Sequence, residues 1–279
     1  MKHIAEWFDH LGFIFHLDDS GKKEFGDGTS RLGLYWFPKL IGKDLTSPES
    51  LAYKQRYSIC FEASSEPTRY PGWPVRTPEP HEWYARPGTM SRDNLIPCLA
   101  CLCVIGDASR IWRLLRKIIK RGGFLWNTKH IGQQDEAWKI PDWCGLGVIA
   151  LSVRGLVNSQ RGLLHGLLYL IALPFLLIAD FFLLLSTLVR LLSLFLDADN
   201  CGDCINKIVM LSAIKETKTE TPFSLFARLL YSGLHPGAGP TNRARRRGYG
   251  PISSFEHYFD SPKAPPLAEE WFDYLLDRF

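Results

Sequence analysis

The sequence predicts a mainly α protein, organised as a helical bundle. Three observations predict it. Apolar residues recur at three- and four-residue spacing, most clearly in DASRIWRLLRKIIKRGGF at 107–124, as a helix with one buried face requires. No strand-like alternation of apolar and polar residues of any length occurs, and no internal repeat. From 162 to 196 the chain is almost uninterruptedly apolar, over a length that suits a helix and not a strand. The 279 residues are 46% hydrophobic and 22% charged, which is the composition of a folded chain with a sizeable core. Lys and Arg number 33 against 29 Asp and Glu, a net charge of +4, and so near a balance does not point to nucleic acid as a partner.

Taken in order, residues 1–16 read as a short amphipathic helix, with Ile4, Trp7, Phe8 and Leu11 at helical spacing. His3, Glu6, Asp9 and His10 interrupt any secretory h-region. DDSGKKEFGDGTS at 18–30 is a loop by its Gly and Asp content, and RLGLYWFPKLIG at 31–42 a helix that ends near Pro38. Residues 62–90 carry six prolines interleaved with Trp73, Trp83 and Tyr84, which marks a long ordered loop of functional interest. GTMSRDNLIPCLACLC at 88–103 opens a further helix, with Asp93 as its cap or near-cap so that Pro97 falls within the first turn. In 107–124, Ile111, Leu114, Leu115 and Ile118 form one face. Arg110, Arg113, Lys117 and Lys120 form another, with Asp107 or Ser109 as cap. Such a basic face is either solvated or set against anionic lipid headgroups or another acidic surface. WCGLGVIALSVRG at 143–155, a segment near 203–216, a segment near 222–233 and the acidic LAEEWFDYLLDRF at the end complete the helices.

The stretch 162–196 divides the chain into an N-terminal helical region (1–161), the apolar segment, and a C-terminal helical region (197–279). From Gly166 to Ser186 it holds nine Leu, two Ile and three Phe. Together these favour insertion by about 4–8 kcal/mol against a cost of about 3 kcal/mol for Asp180. The competing reading is a buried pair of helices split at Pro174, with Asp180 and Arg190 as charges that a core can pair. As a single span, the positive flank (Arg154, Arg161) and negative flank (Asp197, Asp199, Asp203) would put the N-terminal region in the cytoplasm. A fully cytoplasmic protein is the alternative. A membrane reading makes lipid the partner.

For chemistry, the candidates are loop carboxylates and aromatic side chains. Asp27, Asp93 and Asp142 sit among Gly, Ser, Arg or Trp at the starts of apolar runs, where acid–base work in a cleft would place them. Arg31, Trp36, Trp73, Trp83, Arg92 and Trp143 are the candidate substrate-binding residues, with an oligosaccharide as the partner they would suit. Seven Cys include two CxxC pairs, Cys98/Cys101 and Cys201/Cys204. The first lacks turn residues and reads as helix packing, so neither a metal nor a cofactor is expected. No nucleophile elbow, P-loop, dinucleotide fingerprint or HExxH motif occurs.

FGDGTSRLGLYWF, the aromatic–proline loop, GTMSRDNLIP, DADNCGDCINKIVMLSAI, TPFSLFARLLY and the late APPL together resemble a family of uncharacterised bacterial proteins. That family has a Gly-Asp-rich motif before an aromatic helix and an SRDQ-like motif before an apolar one. This chain has Asn94 at the Gln position. The layout is similar to that of α/α-toroid carbohydrate-active proteins, which would imply a partial toroid and loop carboxylates that bind or process carbohydrate.

Overall fold

The structure, a computed structural model, describes residues 13, 16–17, 20–24, 28–42, 44, 46–65, 92–120, 143–195 and 201–234. These are overwhelmingly helical: α1 (Gly28–Leu40), α2 (Pro48–Ser65), α3 (Arg92–Ile105), α4 (Ala108–Lys120), α5 (Trp143–Asn158), α6 (Gly162–Phe195), α7 (Cys201–Glu216) and α8 (Pro222–Leu234). The mainly α class is therefore as the periodicity predicts. A two-residue antiparallel pairing, β1 (His16–Leu17) with β2 (Lys23–Glu24), precedes them. It corrects the expectation of helix at His16 and turns part of the 18–30 loop into a tight hairpin. Residues 62–65 of the expected Pro/Trp-rich loop belong to the end of α2. The rest of that loop, the amphipathic helix expected over the first residues and the acidic C-terminal helix lie outside the described residues.

The centre of the bundle is α3. Every residue from Leu95 to Ile105 is buried, so this helix has no solvent face and packs against α1, α4, α5 and α7. Three of its cysteines behave as small apolar residues with a weak donor. Cys98 Sγ donates to the Thr29 carbonyl at 3.0 Å, Cys101 Sγ to the Gly33 carbonyl at 3.4 Å and Cys103 Sγ to the Leu151 carbonyl at 3.2 Å. Burial pushes the Cys98 thiol up to about 12 and raises Cys101 and Cys103 as well, so none of the three is a thiolate at neutral pH.

The start of α3 departs from expectation. The helix begins at Arg92, so Asp93 lies inside the first turn and Pro97 lies within the helix. Proline there removes one intrahelical donor. What the site gains is a close approach to α1: a methyl group on Gly33 would fall 2.6 Å from the Cys98 nitrogen and 2.7 Å from Pro97 Cβ. The Tyr57 hydroxyl of α2 also donates to the Cys98 carbonyl at 2.7 Å. α1 starts three residues earlier than the 31–42 run and continues through Pro38 to Leu40. α2 escapes the sequence reading: among its residues 48–58, whose side chains are described, only Ser50 and Tyr57 are buried, which is too few to mark an apolar stripe there. Its start is regular, with Ser47 Oγ accepting from the Ser50 amide and Pro48 in the first helical position.

In α4 the four predicted core residues, Ile111, Leu114, Leu115 and Ile118, are all buried. Asp107 is the cap, accepting from the Arg110 amide at 3.1 Å and pairing with the Arg110 guanidinium. Gly155 of α5 sets a second close approach. A methyl group there would meet Cys103 Sγ at 2.6 Å and Ile111 Cδ1 at 2.7 Å, so α3, α4 and α5 converge at this glycine.

The apolar stretch is one continuous helix. α6 runs 34 residues through Pro174, about 51 Å at 1.5 Å per residue. This corrects the expected split at Pro174. It overturns the buried pair of helices too, because much of α6 is exposed: Leu163 at 90%, Ile171 at 68% and Ile178 at 57%. Its stretch Gly162–Val189 is long and apolar enough to cross a membrane.

Candidate functional site: a polar seam beneath an apolar helix

The environment of α6 is inverted relative to a helix of a water-soluble bundle. Its buried face is Leu176, Ala179, Asp180, Leu183, Leu184 and Thr187, at helical three- and four-residue spacing. The opposite face, Leu167, Ile171, Ile178, Phe182, Leu185 and Val189 among others, is exposed and wholly apolar. Polar atoms point inward and hydrocarbon points outward. The next apolar surface belongs to α8, where Leu225, Phe226 and Leu229 are exposed while Ser224, Ala227 and Arg228 are buried. Phe181 and Phe223 meet edge to face, with centroids 5.6 Å apart, and so tie the two helices together.

The polar residues on the buried side are joined into a seam. Arg154 of α5 and Asp180 of α6 are each 1% exposed and paired, Nη2 to Oδ2, at 2.5 Å. The partner of Asp180 is therefore Arg154, twenty-six residues earlier. The same carboxylate oxygen accepts the Thr221 hydroxyl at 2.6 Å. Thr221 is also the cap of α8. Its amide donates to Ser224 Oγ at 2.9 Å, the Ser224 amide donates back to Thr221 Oγ1 at 3.3 Å, and Pro222 fills the first helical position. This reciprocal box fixes the α8 start against the middle of α6.

Further along, Lys207 of α7, 2% exposed, donates from Nζ to the Ser186 carbonyl at 2.8 Å. Thr187 Oγ1 donates to the Leu183 carbonyl at 2.8 Å. In the other direction the Tyr169 hydroxyl donates to the Glu220 carbonyl at 2.9 Å, and Arg228 grips the Glu220 carboxylate from Nε at 2.7 Å and from Nη2 at 3.3 Å. Arg154 Nε is buried without a hydrogen-bond partner. A buried ion pair of this kind is worth little as net stability, but it is costly to break, because one partner is then left charged and unpaired. Chemically these contacts tie α6 to α5, α7 and α8 through buried polar groups.

The residues singled out from sequence are distributed as follows. Trp36 is in the core at 5% exposure, its ring 5.0 Å from Tyr35 and 5.5 Å from Tyr53, with Nε1 buried and without a hydrogen-bond partner. Lys39 lies 4.7 Å over the Tyr35 ring. Arg31 lies on α1, Arg92 and Asp93 in the first turn of α3, and Trp143 at the start of α5, as backbone positions. Asp27, Trp73, Trp83 and Asp142 lie outside the described residues. The described residues thus bring none of the proposed carboxylates together. Among them no group of three or more His, Cys, Asp or Glu is placed to hold a metal ion.

The seam itself was not found from sequence, although one signal for it exists. In a helix this apolar, Asp180 and Thr187 are seven residues apart and so share a face. That shared face is the buried one. Comparison of the chain with protein families, with curated proteins and with solved structures returns no match.

Proposed function

We propose that this is a membrane-associated helical protein, with α6 in the bilayer and the Arg154–Asp180–Thr221 seam on its protein-facing side. The observation that carries the reading is the inversion of α6. A helix whose buried face holds the carboxylate and hydroxyl, and whose exposed face is Leu, Ile and Phe, is stable where hydrocarbon surrounds it and costly in water. The length supports this. Gly162–Val189 is 28 residues, about 42 Å, against a hydrocarbon core of about 30 Å. An ionisable group at such depth normally faces protein and is paired, as Asp180 is by Arg154.

The pairing also alters the topology argument. Arg154 is buried against Asp180, so the exposed flanking cation is Arg161, which still favours a cytoplasmic N-terminal region. The role proposed is that of an anchored helical scaffold, with no reaction assigned to it.

The test is extraction. Membranes from cells expressing the full chain are washed with high salt and then with alkaline carbonate. The protein is expected to stay in the pellet through both washes and to be released by detergent. Complete recovery in the supernatant before any detergent is added would refute the reading.

A further inference from the structure

We infer that the outward face of α4 docks on anionic lipid headgroups at the surface of the membrane that holds α6, an inference that rests on the membrane reading above. The first ground is charge. α4 contains no acidic residue and five cations, Arg110, Arg113, Arg116, Lys117 and Lys120, of which Arg110 is paired with the capping Asp107. With Ile111, Leu114, Leu115 and Ile118 buried, the helical repeat places Arg113, Arg116 and Lys120 at the centre of the opposite arc. All three are exposed.

The second ground is what lies beside those cations. Trp112 is 50% and Ile119 57% exposed. With Arg116 they make a stripe at i, i+4 and i+7 along one edge of the basic arc. A solvated helix gains nothing from an exposed Trp and Ile there. A helix lying on a headgroup layer buries both below the level of its cations. A polyanion in solution would use the charges and leave the Trp–Ile pair in water, which is why lipid is the occupant proposed.

The third ground is position. The α3–α4 turn packs on the α5–α6 turn: a methyl group on Gly106 would lie 3.7 Å from Ser159 Cα, and Asn158 Nδ2 donates to the Cys103 carbonyl at 3.0 Å. Arg161, exposed, then leads into Gly162. The basic helix therefore starts beside the point where the chain enters α6, where a headgroup contact and a hydrocarbon contact can be made by one molecule.

The test uses the full chain in vesicles of phosphatidylcholine alone or of phosphatidylcholine with phosphatidylserine. Lys120 is acylated by a water-soluble reagent and read by peptide mass spectrometry, with Lys54 of α2 as internal reference. The expected result is recovery of the protein with both vesicles. Lys120 acylation should then be slowed on the order of fivefold by phosphatidylserine, with Lys54 unchanged and the protection lost in high salt. The double variant Trp112→Ser/Arg116→Gln, altered only at exposed positions, should lose most of that protection. Recovery with both vesicles but equal Lys120 acylation overturns the α4 inference and leaves the α6 reading standing. Recovery only with phosphatidylserine vesicles, reversed by salt, supports the α4 contact and overturns the α6 reading. Recovery with neither overturns both.

Discussion

Asp180→Ala is expected to destabilise the folded chain by about 3–5 kcal/mol, a large share of what a domain of this size has to lose. The substitution leaves the Arg154 guanidinium, 1% exposed, without its counter-charge. It also removes the acceptor of the Thr221 hydroxyl that seats the α8 cap. Asp180→Asn keeps an oxygen for Arg154 and Thr221 but not the charge, and should fall between wild type and Asp180→Ala. The informative comparison is the double variant Arg154→Met/Asp180→Leu. Replacing both members of a buried pair by apolar residues of similar volume is commonly near neutral, so this variant should recover most of the loss. Denaturation midpoints of the four proteins in one detergent give the comparison. An Asp180→Ala variant within about 0.5 kcal/mol of wild type, the noise of a surface substitution, would mean that the ion pair is not held as described.

Gly33→Ala is the second large effect, and its sign is the opposite of what helix propensity gives. In an unobstructed helix interior the change would stabilise by up to about 1 kcal/mol. At Gly33 the added methyl meets backbone atoms, the Cys98 nitrogen and the Pro97 carbonyl carbon at 2.6 Å, which cannot rotate away as a side-chain end can. α1 must back off α3, at a cost of about 1–3 kcal/mol. It would also strain the Cys98 thiol contact to Thr29 and the Tyr57 contact to Cys98. Two other glycines calibrate the result. Gly155→Ala meets mainly the side-chain ends of Cys103 and Ile111 and should cost less. Gly166→Ala on α6 meets nothing within 4 Å and should be neutral or stabilising. Thermal midpoints in the order Gly166→Ala, Gly155→Ala, Gly33→Ala, from highest to lowest, are the expected outcome. A Gly33→Ala protein as stable as wild type would contradict the close α1–α3 approach.

What the sequence made legible follows from periodicity. The buried face of α4 could be read residue by residue from its helical spacing, whereas the basic face expected from sequence omits Arg116, which is exposed, and includes Arg110 and Lys117, which are half-buried. α3 and α6 could be read only as helices. α3 is apolar on every side from Leu95 on, and α6 carries little beyond the shared face of Asp180 and Thr187 to mark a side. Their burial differs: Leu95–Ile105 is buried throughout, whereas α6 is buried on one face only. Capping and backbone contact were harder still. The close approach of α1 to Pro97 and Cys98 depends on Gly33, more than sixty residues earlier. Likewise the seam joins Arg154, Asp180, Lys207 and Thr221 from four different segments, a relation set by packing that local spacing does not encode. The carbohydrate expectation rested chiefly on loop residues such as Asp27, Trp73, Trp83 and Asp142, which the described helices do not include.

The central claim, that hydrocarbon surrounds the outward face of α6, is tested most directly by a carbene-generating photoprobe dissolved in the lipid of membranes carrying the protein. Label mapped by peptide sequencing should recur with a three- to four-residue period at Leu167, Ile171, Ile178, Phe182 and Leu185, and should spare Leu176, Ala179, Leu183 and Thr187, which are buried. Absence of label from α6, or label spread evenly over both faces, would contradict the account.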